Sequence, residues 1–186
     1  MEEQCNVGAA LGAAVLAAGG LGEAIAAPHA AYRVECVDAE GRVRWRDRFT
    51  NMVVTAGRND LLSQYFKGNG YTAAWYVGLI DNAGFSAIAA TDTMAAHPGW
   101  AESTAYANAT RAVLALGTAS AGSIDNAGNA ASFSINAAAS IRGAFVANTS
   151  AKGAASGTLY SAGTFAATRS VASGDTLNVT VAFAVS

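Results

Sequence analysis

A chain of 186 residues is long enough for one domain with a substantial core. Its net charge of −2 excludes bulk nucleic-acid binding, which needs a positive field to displace counterions. Charged residues make up 13%, about half the usual ~25% share, so the surface is poorly equipped to keep free monomers apart; this reads either as a surface covered in an assembly or as the alanine bias of a GC-rich coding sequence.

In chain order, the first element is an Ala/Gly-rich arm. No residue between Gln4 and Gly22 is charged. The start, Met1-Glu2-Glu3, is acidic where a secretory leader is basic. The apolar stretch is too short and too rich in alanine and glycine for a membrane span. Residues 1–30 therefore read as an N-terminal arm or loosely packed helix, with Leu11, Val15 and Leu16 as contact residues for a neighbouring subunit; a disordered arm is the competing reading. Residues 31–186 read as a single β-sandwich domain.

After Pro28, Ala31–Val37 predicts a strand with Tyr32, Val34 and Cys36 on one face. Asp38-Ala39-Glu40-Gly41 predicts a turn. Arg42–Phe49 is the return strand, with Val43, Trp45 and Phe49 on one face. Closing Val37 against Arg42 would set Cys36 opposite Val43, Val34 opposite Trp45 and Glu35 opposite Arg44. Thr55 is a candidate N-cap, and Ala56–Lys67 predicts the one helix, with Leu61, Leu62, Tyr65 and Phe66 as its apolar stripe. Tyr71–Ile80 predicts an apolar strand. Asp81–Trp100 is a long connection holding one helical turn at Asp92–Ala96. Short strands follow near Arg111–Leu116, Ala131–Asn136, Ile141–Val146, Thr158–Phe165 and Thr176–Val185. The last alternates Leu177, Val179, Val181, Phe183 and Val185 with small or polar residues, the mark of a half-buried strand. Eight or nine strands and one helix predict a mainly β fold, a β-sandwich or jelly roll.

The sharpest local pattern is Arg42, Arg44, Arg46 and Arg48, four of the 11 Lys+Arg residues. Alternation in a strand puts all four on one face. They read as a docking stripe for an acidic partner surface, since arginine makes directed bonds to carboxylates, with nucleic acid well behind because the rest of the chain lacks basic patches, or as a solvated edge strand guarded by its charges. Catalytic patterns are lacking. His29 and His97 lie outside any Ser–His–Asp arrangement, and no GxSxG elbow is present. Asp92 and Glu102 carry no mark of a hydrolytic pair beyond their presence. No phosphate loop opens a helix. Cys5 and Cys36 belong to no metal-ligand cluster, and Asp81-Asn82 and Asp125-Asn126 read as turn formers rather than calcium loops. The expectation is a protein without enzymatic activity, cofactor or metal.

The stretches YRVECVDAEGRVRWRDRFTNMVVTAGRNDLL (Tyr32–Leu62), YTAAWYVGLI (Tyr71–Ile80), DTMAAHPGW (Asp92–Trp100) and SGDTLNVTVAF (Ser173–Phe183) resemble a group of small structural proteins of tailed bacteriophages. The resemblance runs from Ala31 to the C-terminus and implies a virion protein, assembled in the host cytoplasm, with no catalytic residues. The expected role is capsid cement or decoration. Its partners would be the major capsid protein or other virion subunits, with further copies of itself on the particle, and neither nucleic acid nor membrane. The rival within the class is a tail, connector or fibre component. On a fibre, Trp75, Tyr76 and Trp100 would be candidates for stacking on sugars, although core packing is the plainer reading of Trp75.

Overall fold

The computed structural model describes residues 28–67, 70 and 74–185. The arm residues Leu11, Val15 and Leu16, and Cys5, lie outside them. The described chain is mainly β, with two antiparallel sheets and a single helix in a β-sandwich-like arrangement.

In the first sheet, β1 (His29–Val37) lies between β2 (Val43–Thr50) and β11 (Thr176–Ala184). The far edge of β11 is shared by β8 (Ala131–Ser134) and β7 (Ser123–Asp125). Neither of these reaches Thr180 or Val181. Asn126 bridges that gap: its Oδ1 accepts from the Val181 N–H at 2.7 Å, and its Nδ2 donates to the Val179 carbonyl at 3.2 Å. Asn126 is thus a buried substitute for ladder bonds, not only the turn former that its sequence suggests.

In the second sheet the order is β3 (Met52–Val53), β10 (Leu159–Val171), β9 (Ala139–Ala147) and β4 (Tyr76–Asp81). The other edge of β4 pairs with two short strands, β5 (Glu102–Ser103) and β6 (Ala112–Val113). The strand expected from Tyr71 begins at Tyr76; residues 71–73 lie outside the described ones. The eleven strands of the described residues exceed the eight or nine expected because strands such as β5 and β7 are only two or three residues long, too short to show periodicity; of the strand expected at Arg111–Leu116 only β6 forms.

The core lies between the sheets. Tyr32, Val34 and Cys36 of β1 and Leu177, Val179 and Val181 of β11 meet Val77, Leu79, Ala144, Val146 and Phe165. This is the inward set that alternation predicts. The Tyr32 and Ser161 hydroxyls, 3.0 Å apart, join the two sheets by a buried hydrogen bond. The second sheet is also covered on its outer face. Ile80, Phe145, Ala147, Leu159 and Ala162 pack there against Val54, Met94 and Trp100. Burial on both faces explains why β4 reads as an unbroken apolar run rather than an alternating one. Gly78 makes room for this packing: a Cβ there would lie 2.2 Å from the Phe145 ring.

Met94 and Trp100 come from the long connection after β4. The expected helical turn at Asp92–Ala96 is not formed. Thr93 and Ala96 instead exchange backbone hydrogen bonds in a tight turn, and buried Asp92 accepts from the Ala89 N–H and the Trp100 indole N–H at 2.9 and 2.8 Å. A short polar side chain that bonds its own neighbourhood competes with helix formation. His97 stacks on Trp100. Asp92 and His97 therefore fasten a loop, and buried Trp100 is not available to stack on a sugar.

The β1–β2 hairpin departs from its expected register. Val37 lies opposite Val43, a bulge follows, and Cys36 faces Trp45, Glu35 faces Arg46 and Arg33 faces Arg48. Asp38 is the cause: its carboxylate accepts from the backbone N–H groups of Glu40 and Arg42, and Gly41 takes a φ of +80°. The loop is therefore one residue longer than a closure of Val37 on Arg42.

Burial raises the titration points of several core acids. Desolvation, then the nearby Asp175 carboxylate, pushes the Cys36 thiol up to about 12. Burial also raises the Tyr32, Tyr106 and Tyr160 hydroxyls above the usual phenol value of 10.0. The folded state holds these protons to higher pH than the unfolded chain does, so stability is intact below about pH 9 and declines as pH rises beyond it. Urea midpoints are expected to be level near neutrality and to fall above about pH 9, with Cys36→Ala delaying the onset; a profile flat to pH 11 would contradict this.

Candidate protein-docking surface

The helix α1 (Thr55–Lys67) sits against β10 through its first turn. Val54 is buried just before it, and Gly57 is its one buried residue. A Cβ on Gly57 would lie 2.3 Å from the Tyr160 carbonyl oxygen, so only glycine allows this approach. Gly57→Ala is expected to lever the helix off β10 and cost about 1–3 kcal/mol, read as a lowered urea midpoint; an unchanged midpoint would mean that the helix is not anchored there.

The expected apolar stripe of α1 does not enter the core. Leu62, Tyr65 and Phe66 are 54%, 80% and 76% exposed, and the Tyr65 and Phe66 rings pack edge to face with centroids 4.9 Å apart. The spacing gives a helix with these side chains on one face, but backbone proximity at Gly57 does the anchoring and leaves that face in the open. Large apolar side chains grouped in the open on one short helix make this face a candidate contact site.

An apolar groove of about 350 Å³ adjoins α1. Leu61 and Gln64 of α1 form one wall, and Trp75, Leu116, Tyr160 and Phe183 are among its lining residues. Tyr160 meets Trp75 and Phe183 edge to face, with centroids 5.5 and 5.2 Å away. The Gln64 Oε1 is buried without a hydrogen-bond partner among the described residues. Sequence reasoning placed Trp75 in an apolar strand but gave no sign that Leu116, Tyr160 and Phe183 converge on it, since they come from segments far apart in the chain.

The arginine stripe lies where alternation puts it, but most of it is already engaged. Arg42 bonds Asp38 at 2.8 Å and Glu40 at 2.9 Å. Arg44 pairs with Asp175, whose Oδ2 also accepts from the Cys36 thiol and the Ala172 N–H. Arg46 pairs with Glu35 across β1. Arg48 makes no ion pair among the described residues and faces Arg33, also exposed and without an ion pair among them. Of the stripe, only Arg48 is left without an ion pair among the described residues, and Arg33 of β1 lies opposite it.

A polar cleft on another side includes Asp81, Glu102 and Asn136. Its carboxylates hold structure together. Asp81 accepts from the Ala83 N–H at 2.7 Å. Glu102 grips the fully buried Arg111 through both oxygens, at 2.9 and 2.7 Å, and accepts from the Gly153 N–H at 2.8 Å. Arg111 also donates to the Thr149 and Ala154 carbonyls at 2.9 and 3.1 Å and lies over the Phe145 ring. Sequence gave no hint of this cluster. Among the described residues no group of three or more His, Cys, Asp and Glu is placed to hold a metal ion, and no helix is long and apolar enough to cross a membrane. No protein-family profile matches the chain, and no curated protein sequence matches it.

Proposed function

We propose that this chain is a non-enzymatic structural subunit that binds other protein subunits, and specifically a cement or decoration protein on the capsid of a tailed bacteriophage. The observation that carries the reading is the exposed apolar face of α1, Leu62, Tyr65 and Phe66, on a helix anchored to a rigid sandwich. Tyrosine is enriched where a few residues supply most of the binding energy, and a surface with 13% charged residues has little to repel a neighbour. The resemblance to small phage structural proteins supplies the partner, the major capsid protein. Arg33 and Arg48 are suited to a carboxylate on such a partner. A lattice suits such a surface, because several weak contacts on a rigid shell reinforce one another. The fibre reading, with sugar bound by aromatic faces, is less favoured, since Trp100 is buried and Trp75 lines a groove with few polar groups to orient a sugar.

The test is binding of the purified chain to isolated phage heads by co-sedimentation, beside a glycan array. Saturable binding to heads with no glycan signal supports the proposal. Glycan binding without head binding would replace it with the fibre reading.

A further inference from the structure

We propose that the groove beside α1 receives a lysine side chain from an apolar segment of a partner protein, with its stem against Trp75, Tyr160 and Phe183 and its ammonium at Asp60. The inference rests on the reading of α1 as a protein-contact face and adds the chemistry of what meets that face.

Asp60 is the only charged residue in the groove's lining. It is half-buried, and its carboxylate lacks a cation of its own. All 11 Lys and Arg residues of the chain are among the described ones, and none pairs with Asp60. Its Oδ1 accepts one long hydrogen bond, from the Gln64 Nε2 at 3.4 Å. Its Oδ2 accepts none among the described residues and is not buried. The charge acts on the groove wall: burial, and then the Asp60 carboxylate, raise the Tyr160 hydroxyl above the usual phenol value. A carboxylate left without a counter-charge beside apolar walls selects a cationic occupant.

The rest of the lining suits an alkyl stem. Trp75, Tyr160 and Phe183 are half-buried, so each keeps surface for a ligand to cover. Aromatic walls attract a cation as well as a methylene chain. Lysine carries a point charge on a four-carbon stem, which lies along apolar surface while the ammonium seeks a polar partner. Arginine would bring five donors to a groove with one carboxylate to receive them. At about 350 Å³ the groove lies near the lower end of the ~300–1,000 Å³ range of ligand sites, a size for a few side chains. The source is a protein segment because the groove runs on into the exposed face of α1. Leu61 of the groove wall is itself exposed and stands one helical turn from Tyr65.

The test uses the isolated full-length chain and three blocked tripeptides, Leu-Lys-Leu, Leu-norleucine-Leu and Leu-Glu-Leu. The readout is the indole N–H resonance of Trp75, identified by its loss in Trp75→Phe. Leu-Lys-Leu is expected to move this resonance and to bind about fivefold more tightly than the norleucine peptide, with the glutamate peptide weakest. In Asp60→Asn the lysine and norleucine peptides are expected to bind equally. In the unaltered chain the lysine preference is expected to shrink between about 50 mM and about 500 mM salt, a measurement that stays decisive even where Asp60→Asn does not fold. A Trp75 resonance unmoved by all three peptides would overturn the proposal. So would equal binding of the lysine and norleucine peptides to the unaltered chain, or a lysine preference indifferent to salt or to Asp60→Asn. Attachment to phage heads through Leu62, Tyr65 and Phe66 is read separately, so either reading can fail while the other stands.

Discussion

Arg111→Met is expected to lower the free energy of unfolding by about 3–5 kcal/mol, the loss typical of breaking a buried ion pair from one side. Arg111 is fully buried and satisfies its guanidinium with a bidentate Glu102 and two loop carbonyls. Those partners come from two segments: Glu102 on β5, and Thr149 and Ala154 in the loop between β9 and β10. Methionine fills similar space, so the penalty comes from the stranded Glu102 carboxylate and the two carbonyls rather than from a cavity. The urea midpoint reads it directly. Arg111→Met combined with Glu102→Leu is expected to recover more than half of the loss, because no buried charge is then left alone. A loss under about 1 kcal/mol for Arg111→Met would mean that water reaches the carboxylate and that the cluster is not a dry fastening.

The second large effect concerns binding. Tyr65→Ser with Phe66→Ser is expected to weaken attachment to phage heads at least tenfold, since truncating an aromatic anchor commonly costs about 2 kcal/mol or more. The same pair should change stability by less than about 1 kcal/mol, because both side chains are already largely in solvent. The split between the two readouts separates a contact face from a packing face. Co-sedimentation with heads measures the first and urea unfolding the second. Unchanged head binding would remove α1 from the contact. A large loss of stability would show that these residues are covered within the chain.

Particular elements explain what could be read in advance. The last strand was legible almost to the residue, because Leu177, Val179 and Val181 alternate with Asn178, Thr180 and Ala182 and face a single core. The β1–β2 hairpin was legible as a pair, but its register depended on the Asp38 carboxylate, which lengthens the loop by bonding two backbone N–H groups. The helix was legible from its spacing, but its exposed face was not. A 3.6-residue period shows which side chains share a face and not what covers that face. The arginine stripe was legible as geometry. Its energetics were not, since Arg44 meets Asp175 from the opposite end of the chain. The groove left no local trace, because it is assembled from residues far apart in sequence, and the Arg111–Glu102 pair is completed only by the Thr149 and Ala154 carbonyls, 38 and 43 positions beyond Arg111.

The most direct test is a reconstruction of the native particle at a resolution that shows side chains. The expected result is this chain on the capsid surface, with Leu62, Tyr65 and Phe66 of α1 pressed against a neighbouring major capsid subunit. A particle without the chain, or with that helix turned into solvent, would contradict the claim that its exposed apolar side exists to be covered by another protein.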